Sequence, residues 1–136
     1  MDQIRVSATF DQVNSVIEFV NVQLAELGCS EQVRVHVDVA IDEIFSNIVR
    51  YANIPDGEPV SVRVEVGDNP LCVIITFIDH GVPYDPVTAE FVDTVHMSAK
   101  ERPIGGLGLF IVRKIMDDIS YTYKDGQNIL TILKKI

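Results

Sequence analysis

The sequence predicts an α+β fold in which helices come in blocks and strands come in hairpins. Two observations predict it. The apolar residues change period along the chain, from two to about three and a half and back, in the order β-α-α-β-β-loop-α-β-β. The later strands are joined by short turn-forming stretches, Gly67-Asp68-Asn69-Pro70 and Asp125-Gly126, which favour hairpins over a doubly wound parallel sheet.

Each element has its own justification. Ile4, Val6, Ala8 and Phe10 alternate with polar residues and read as a strand. Val13, Val16, Ile17, Val20, Leu24 and Leu27 follow at helical spacing, with Thr9 or Asp11 as a cap and Gly28 as a stop. Ser30 caps a second helix, whose apolar face runs through Val33, Val37, Ile41, Ile44, Phe45 and Ile48 to the turn cluster at Asn53–Gly57. Val60, Val62, Val64 and Val66 give a strand with one wet face. Leu71 to Ile78 is nearly all apolar, which predicts a central strand buried on both faces. Residues 87–104 show no strong period and read as a loop. Leu107 to Met116 is a helix, and Ile119–Lys124 and Ile129–Lys134 form a hairpin. No repeat or linker interrupts the 136 residues, which are expected to form one domain, 1–136.

Composition narrows the function. A net charge of −9 disfavours a nucleic-acid binder, which needs a basic face, and disfavours docking on an anionic membrane. Cys29 and Cys72 stand far apart without metal-ligand spacing, and His36, His80 and His96 form no metal motif. The start of the chain has no apolar signal region, so a cytoplasmic location is expected. There is no Gly-x-Ser-x-Gly elbow and no P-loop.

Three separated segments carry the chemistry. Glu43 and Asn47 are four residues apart and share a helix face, where a carboxylate and an amide oxygen suit Mg²⁺ and general-base work. The same spacing also serves a solvated amphipathic helix. Asp79 ends the apolar strand, where it can accept from an exocyclic amine such as that of adenine. Gly81 beside it would let a flat ring approach the backbone. The alternative is an ordinary strand-to-loop transition. Gly105, Gly106 and Gly108 open a helix whose free N–H groups and dipole suit phosphate, or else form a hinge with a cap. A Rossmann fingerprint would need a strand directly before these glycines, and here a polar loop comes first. The order of the three segments suggests a site for Mg²⁺-ATP.

In that order and on those elements, the segments resemble the N, G1 and G2 boxes of the Bergerat-type ATP-binding fold, a two-layer α/β sandwich with a mixed sheet covered on one face by helices. Within it, the chain is similar to bacterial anti-sigma factor serine/threonine kinases, from about Ile4 to Lys135. The resemblance implies that Asn47 binds Mg²⁺, that Glu43 is the general base and that Asp79 and Gly81 contact adenine. It implies that Gly105, Gly106 and Gly108, with Leu107 and Leu109 among them, bind phosphate. Residues 87–104 correspond to the ATP lid, with Ser98, Lys100 and Arg102 placed to reach phosphates. The implied activity is phosphorylation of a small anti-anti-sigma-type protein, with a sigma factor as a further partner and a homodimer through an edge strand. The competing reading is a nucleotide-dependent binding module that sequesters a regulator without phosphotransfer. The chain departs from the pattern at Arg50, where related chains often carry His, and at Pro83, where many have glycine. It carries no phosphoacceptor-histidine helical domain, so a complete histidine kinase is not expected.

Overall fold

The computed structural model describes residues 2–55, 58–85 and 106–136. Five strands, β1 (Asp2–Ser7), β2 (Pro59–Gly67), β3 (Cys72–Asp79), β4 (Asp118–Lys124) and β5 (Gln127–Lys135), form one sheet in the order β1-β2-β3-β5-β4. Three helices, α1 (Val13–Leu27), α2 (Glu31–Tyr51) and α3 (Gly106–Ile115), cover one face. The α+β sandwich is as the sequence predicts.

The strand directions differ from the mixed sheet expected, because all four pairings are antiparallel. The connections explain why. Two helices between β1 and β2 return the chain to the end of the sheet it left, so β2 runs back along β1. β3 and β4, with α3 between them in sequence, share a direction, but β5 lies between them in the sheet. β5 takes the inner position because Leu130 and Ile132 face the core while Ile129 and Leu133 serve the other face. β4 is exposed at most of its positions and suits an edge.

Parity sets the core. Val60, Val62, Val64, Val73, Ile75, Phe77, Leu130 and Ile132 point to the helices, where they meet Val16, Val20 and Leu24 of α1 and Ile41, Ile44 and Phe45 of α2. The other face of β3 is not buried as expected. Ile74, Thr76 and Ile78 are only partly covered, because the described helices all lie on the opposite side.

Local signals hold with two exceptions. The Ser30 hydroxyl accepts from Val33 N at 3.2 Å, Gly28 ends α1 with φ +66°, and Asp125 and Gly126 turn the hairpin with φ of +53° and +76°. β1 stops at Ser7, so Ala8 and Phe10 lie outside it, and Phe10–Gln12 form a 3₁₀ turn. Neither Thr9 nor Asp11 caps α1. The Thr9 hydroxyl instead donates to the Asp11 carboxylate, and the 3₁₀ turn sets Gln12 at the start of α1. Among the described residues no helix is long and apolar enough to cross a membrane.

Candidate functional site

α2, the end of β3, the first turns of α3 and the β4–β5 hairpin converge on one small cavity of about 20 Å³. Asn47, Asp79 and Leu109 line it, joined by Ile44, Ile48, Ala52, Phe77, Tyr84, Tyr121, Asn128 and Leu130. The lining is apolar with a few converging polar groups, which is the usual make-up of a small-molecule site.

Asn47 is 2% exposed. It lies in phase with Ile44 and Ile48, so the helix carries it into the core. Its amide nitrogen donates to the Glu43 carbonyl at 2.6 Å, one turn back. The amide oxygen has no partner among the described residues. Leaving a buried acceptor unsatisfied costs about 1–3 kcal/mol. A hard cation or a polar ligand group in the cavity would relieve it. An amide oxygen is a hard donor, so this position fits Mg²⁺.

Asp79 is also 2% exposed. It continues the inward parity of Val73, Ile75 and Phe77, so the last residue of an apolar strand face is a carboxylate. Its Oδ1 accepts from Gly81 N at 2.8 Å and from the Asn128 amide at 2.9 Å. Burial pushes the Asp79 carboxyl above the usual carboxylate range. The hydrogen bonds from Asn128 and Gly81, and nearby His80, pull back against it.

Glu43 shares the face of Asn47 but is half-buried and does not line the cavity. Burial, and to a lesser degree Asp42, raises its pKa, while Arg50 opposes the rise. Arg50, the position that departs from the resemblance, also stacks its guanidinium 5.4 Å from the Phe10 ring centroid. Gly106, Leu107 and Gly108 form the first turn of α3. Gly105, the expected lid at 87–104 and Ser98, Lys100 and Arg102 lie outside the described residues.

Gly81 is also needed for a backbone contact. A Cβ there would sit 2.1 Å from the Ala52 carbonyl oxygen at the end of α2. The next residue, Val82, donates its N–H to that same oxygen at 2.7 Å. Glycine therefore lets the β3 loop dock on the C-terminus of α2, and its own N–H orients Asp79.

Sequence reasoning missed Asn128, Tyr121 and Tyr84. Asn128 sits opposite Asp79 across β3 and β5, and Tyr84 stacks on Tyr51 with ring centroids 5.4 Å apart. The signal for Asn128 was its inward parity with Leu130 and Ile132, hidden by its closeness to the Asp125-Gly126 turn.

Residues 6–134 match the family described as the histidine kinase-like ATPase domain, and the chain belongs to that family. Serine/threonine-protein kinase BtrW of Bordetella bronchiseptica is 31% identical over 103 residues, covering 76% of this chain and 71% of that protein. Serine-protein kinase RsbW of Listeria innocua is 29% identical over 108 residues, covering 76% of this chain and 67% of that one. Two solved structures share the fold. The RsbU and RsbW domains of a Mycobacterium tuberculosis protein superpose with a TM-score of 0.65 at 19% identity over 98% of this chain, which spans only 32% of that longer chain. A chain of the SiaB–SiaC complex from Pseudomonas aeruginosa gives 0.62 at 12% identity, covering 100% of this chain and 90% of that one.

The Gly81 contact yields a first prediction. Gly81→Ala forces the loop off α2 and breaks the Val82–Ala52 hydrogen bond, so urea denaturation should show a loss of about 1–3 kcal/mol. A midpoint equal to wild type would mean that the loop moves freely and that Gly81 does not fix it.

Proposed function

We propose that this protein is an ATP-dependent serine/threonine kinase of the anti-sigma type. It transfers the γ-phosphoryl group of ATP to a hydroxyl on a small regulatory partner, an anti-anti-sigma protein, and thereby controls transcription. The observation that supports this best is the pairing in one cavity of a buried carboxylate, Asp79, with a buried amide oxygen, Asn47, that has no partner among the described residues. Membership of the ATPase family and the kinase relatives point the same way.

In this reading Asp79 accepts from the adenine amine, and the apolar walls from Ile44, Phe77, Leu109 and Leu130 exclude water from the ring. Asn47 holds Mg²⁺, which neutralises phosphate charge when bound. The first turn of α3, with Gly105 before it, offers N–H groups to phosphate. Lys100 and Arg102 add positive charge from the lid at 87–104. Glu43 takes the proton of the attacking hydroxyl, and its raised pKa makes it a better base than an ordinary exposed carboxylate. The protein acts in the cytoplasm, as one domain, and also binds a sigma factor. The outer edge of β1, unpaired among the described residues, offers a place for a second copy.

One observation favours the alternative, a nucleotide-dependent binding module without phosphotransfer. Glu43 does not line the cavity that holds Asn47 and Asp79. Incubation with labelled ATP and candidate anti-anti-sigma proteins separates the readings. Label on a partner serine or threonine establishes the kinase, and nucleotide-dependent complex formation without transfer establishes the module.

Three substitutions test the assigned roles. Asp79→Asn keeps an oxygen for Gly81 N and the Asn128 amide but loses the charge. A carboxyl whose folded pKa is raised lends stability below its unfolded pKa, and that stability is lost as pH rises through the folded value. At neutral pH its charge is therefore a cost. The melting temperature should hold or rise while ATP affinity falls by about 1.5–3 kcal/mol in calorimetry. Unchanged affinity removes Asp79 from the site.

Asn47→Ala should abolish the Mg²⁺ dependence of nucleotide binding, measured by titration with and without chelator. An undiminished metal requirement would show that the ligand lies elsewhere.

Glu43→Gln should leave ATP and partner binding near normal and lower phosphotransfer by ~10²–10⁴-fold. In wild type the rate should fall on the acid side as pH drops through the raised Glu43 pKa. Normal transfer by the Gln variant would falsify the base assignment.

A further inference from the structure

Asn128 has every hydrogen-bonding position of its side chain filled. An asparagine amide has two donor hydrogens and two acceptor lone pairs. Here the nitrogen donates to Asp79 Oδ1 at 2.9 Å and to the Val82 carbonyl at 2.8 Å. The oxygen accepts from Tyr84 N at 3.2 Å and from the Tyr121 hydroxyl. All four positions are filled by protein, so Asn128 has nothing left to offer a ligand although it is 5% exposed and lines the cavity.

The arrangement also fixes which way the amide faces. Tyr84 N and the Tyr121 hydroxyl can both donate, so they hold the oxygen on their side. Tyr84 N is shared with the Tyr121 oxygen at 3.1 Å, which ties that hydroxyl in place. The nitrogen is thereby turned to Asp79, which already accepts from Gly81 N through the same oxygen. Two donors on Oδ1 set the rotation of the carboxylate, whose residue lines the cavity.

We infer that Asn128 and Tyr121 are positioning residues that make the cavity selective for a purine bearing an exocyclic amine, by holding Asp79 in one orientation. The inference rests on the proposal that the cavity takes ATP. The two residues come from β5 and β4, so base selection depends on the hairpin as well as on the strand that carries the acid. Asn128 reaches Asp79 directly across the β3–β5 ladder, and Tyr121 reaches Asn128 on the diagonal from the next strand.

The test compares ATP with inosine triphosphate, which has a carbonyl oxygen in place of the amine. Calorimetry on wild type, Asn128→Ala and Tyr121→Phe measures the ratio of the two affinities, and melting curves check folding. Wild type should prefer ATP by about 100-fold or more, since a site built to bond an N–H rejects the analogue without it. Both variants should lower that ratio, Asn128→Ala by about tenfold or more and Tyr121→Phe by less, through weaker ATP binding with little change for inosine triphosphate. A purely structural role would weaken both nucleotides equally and overturns the inference, as does a wild-type ratio retained in both variants. Should Asn128→Ala fail to fold, Tyr121→Phe decides alone, because it removes one hydroxyl and keeps the ring. Wild type that binds both nucleotides equally overturns the inference while leaving the nucleotide site in place. Wild type that binds neither overturns the nucleotide reading, and the inference with it.

Discussion

The buried carboxylate of Asp79 is the constraint around which the site is arranged. A charged group at 2% exposure on the core face of a strand is tolerable only if donors meet it. Two donors do, Gly81 N from its own loop and the Asn128 amide from the neighbouring strand. Each has structural conditions of its own. Gly81 must be glycine because the loop lies against the Ala52 carbonyl, and Asn128 must be oriented by Tyr84 and Tyr121. A single acid therefore ties α2, β3, β4 and β5 to one geometry at the cavity.

The opposite wall shows the complementary condition. Asn47 is as buried as Asp79, yet its amide oxygen has no partner among the described residues. Its nitrogen is held by the helix backbone, so the amide is fixed and the oxygen remains available. A saturated polar group beside an unsaturated one distinguishes parts that support the site from parts free to take a ligand. Asn128 belongs to the first kind and Asn47 to the second.

The element order, the Ser30 cap, the Gly28 stop and the Asp125-Gly126 turn were legible in the sequence because each depends on neighbours a few residues away. Asn47 and Asp79 were legible as well, Asn47 by its spacing from Glu43 on one helix face and Asp79 by its place at the end of an apolar strand. Asn128 shares the inward parity of Leu130 and Ile132, but only Gln127 separates it from the Asp125-Gly126 turn, and the local reading absorbed it. Phe10 alternated correctly and still left the strand, because Ser7 is the last residue of β1 to find a partner in β2.

The sequence by itself determined the order of helices and strands, the cap at Ser30, the stop at Gly28 and the turn at Asp125-Gly126, because these follow from periodicity and capping within a short span. Only the tertiary structure decided that β5 lies between β3 and β4, since β3 and β4 lie far apart in sequence and the choice depends on which hairpin strand has apolar residues for both faces. That choice sets Asn128 opposite Asp79. The docking of the β3 loop on the end of α2, which brings Gly81 against Ala52, is likewise a tertiary outcome. Both outcomes depend on distances between segments remote in sequence, and a local pattern of residue types cannot encode them.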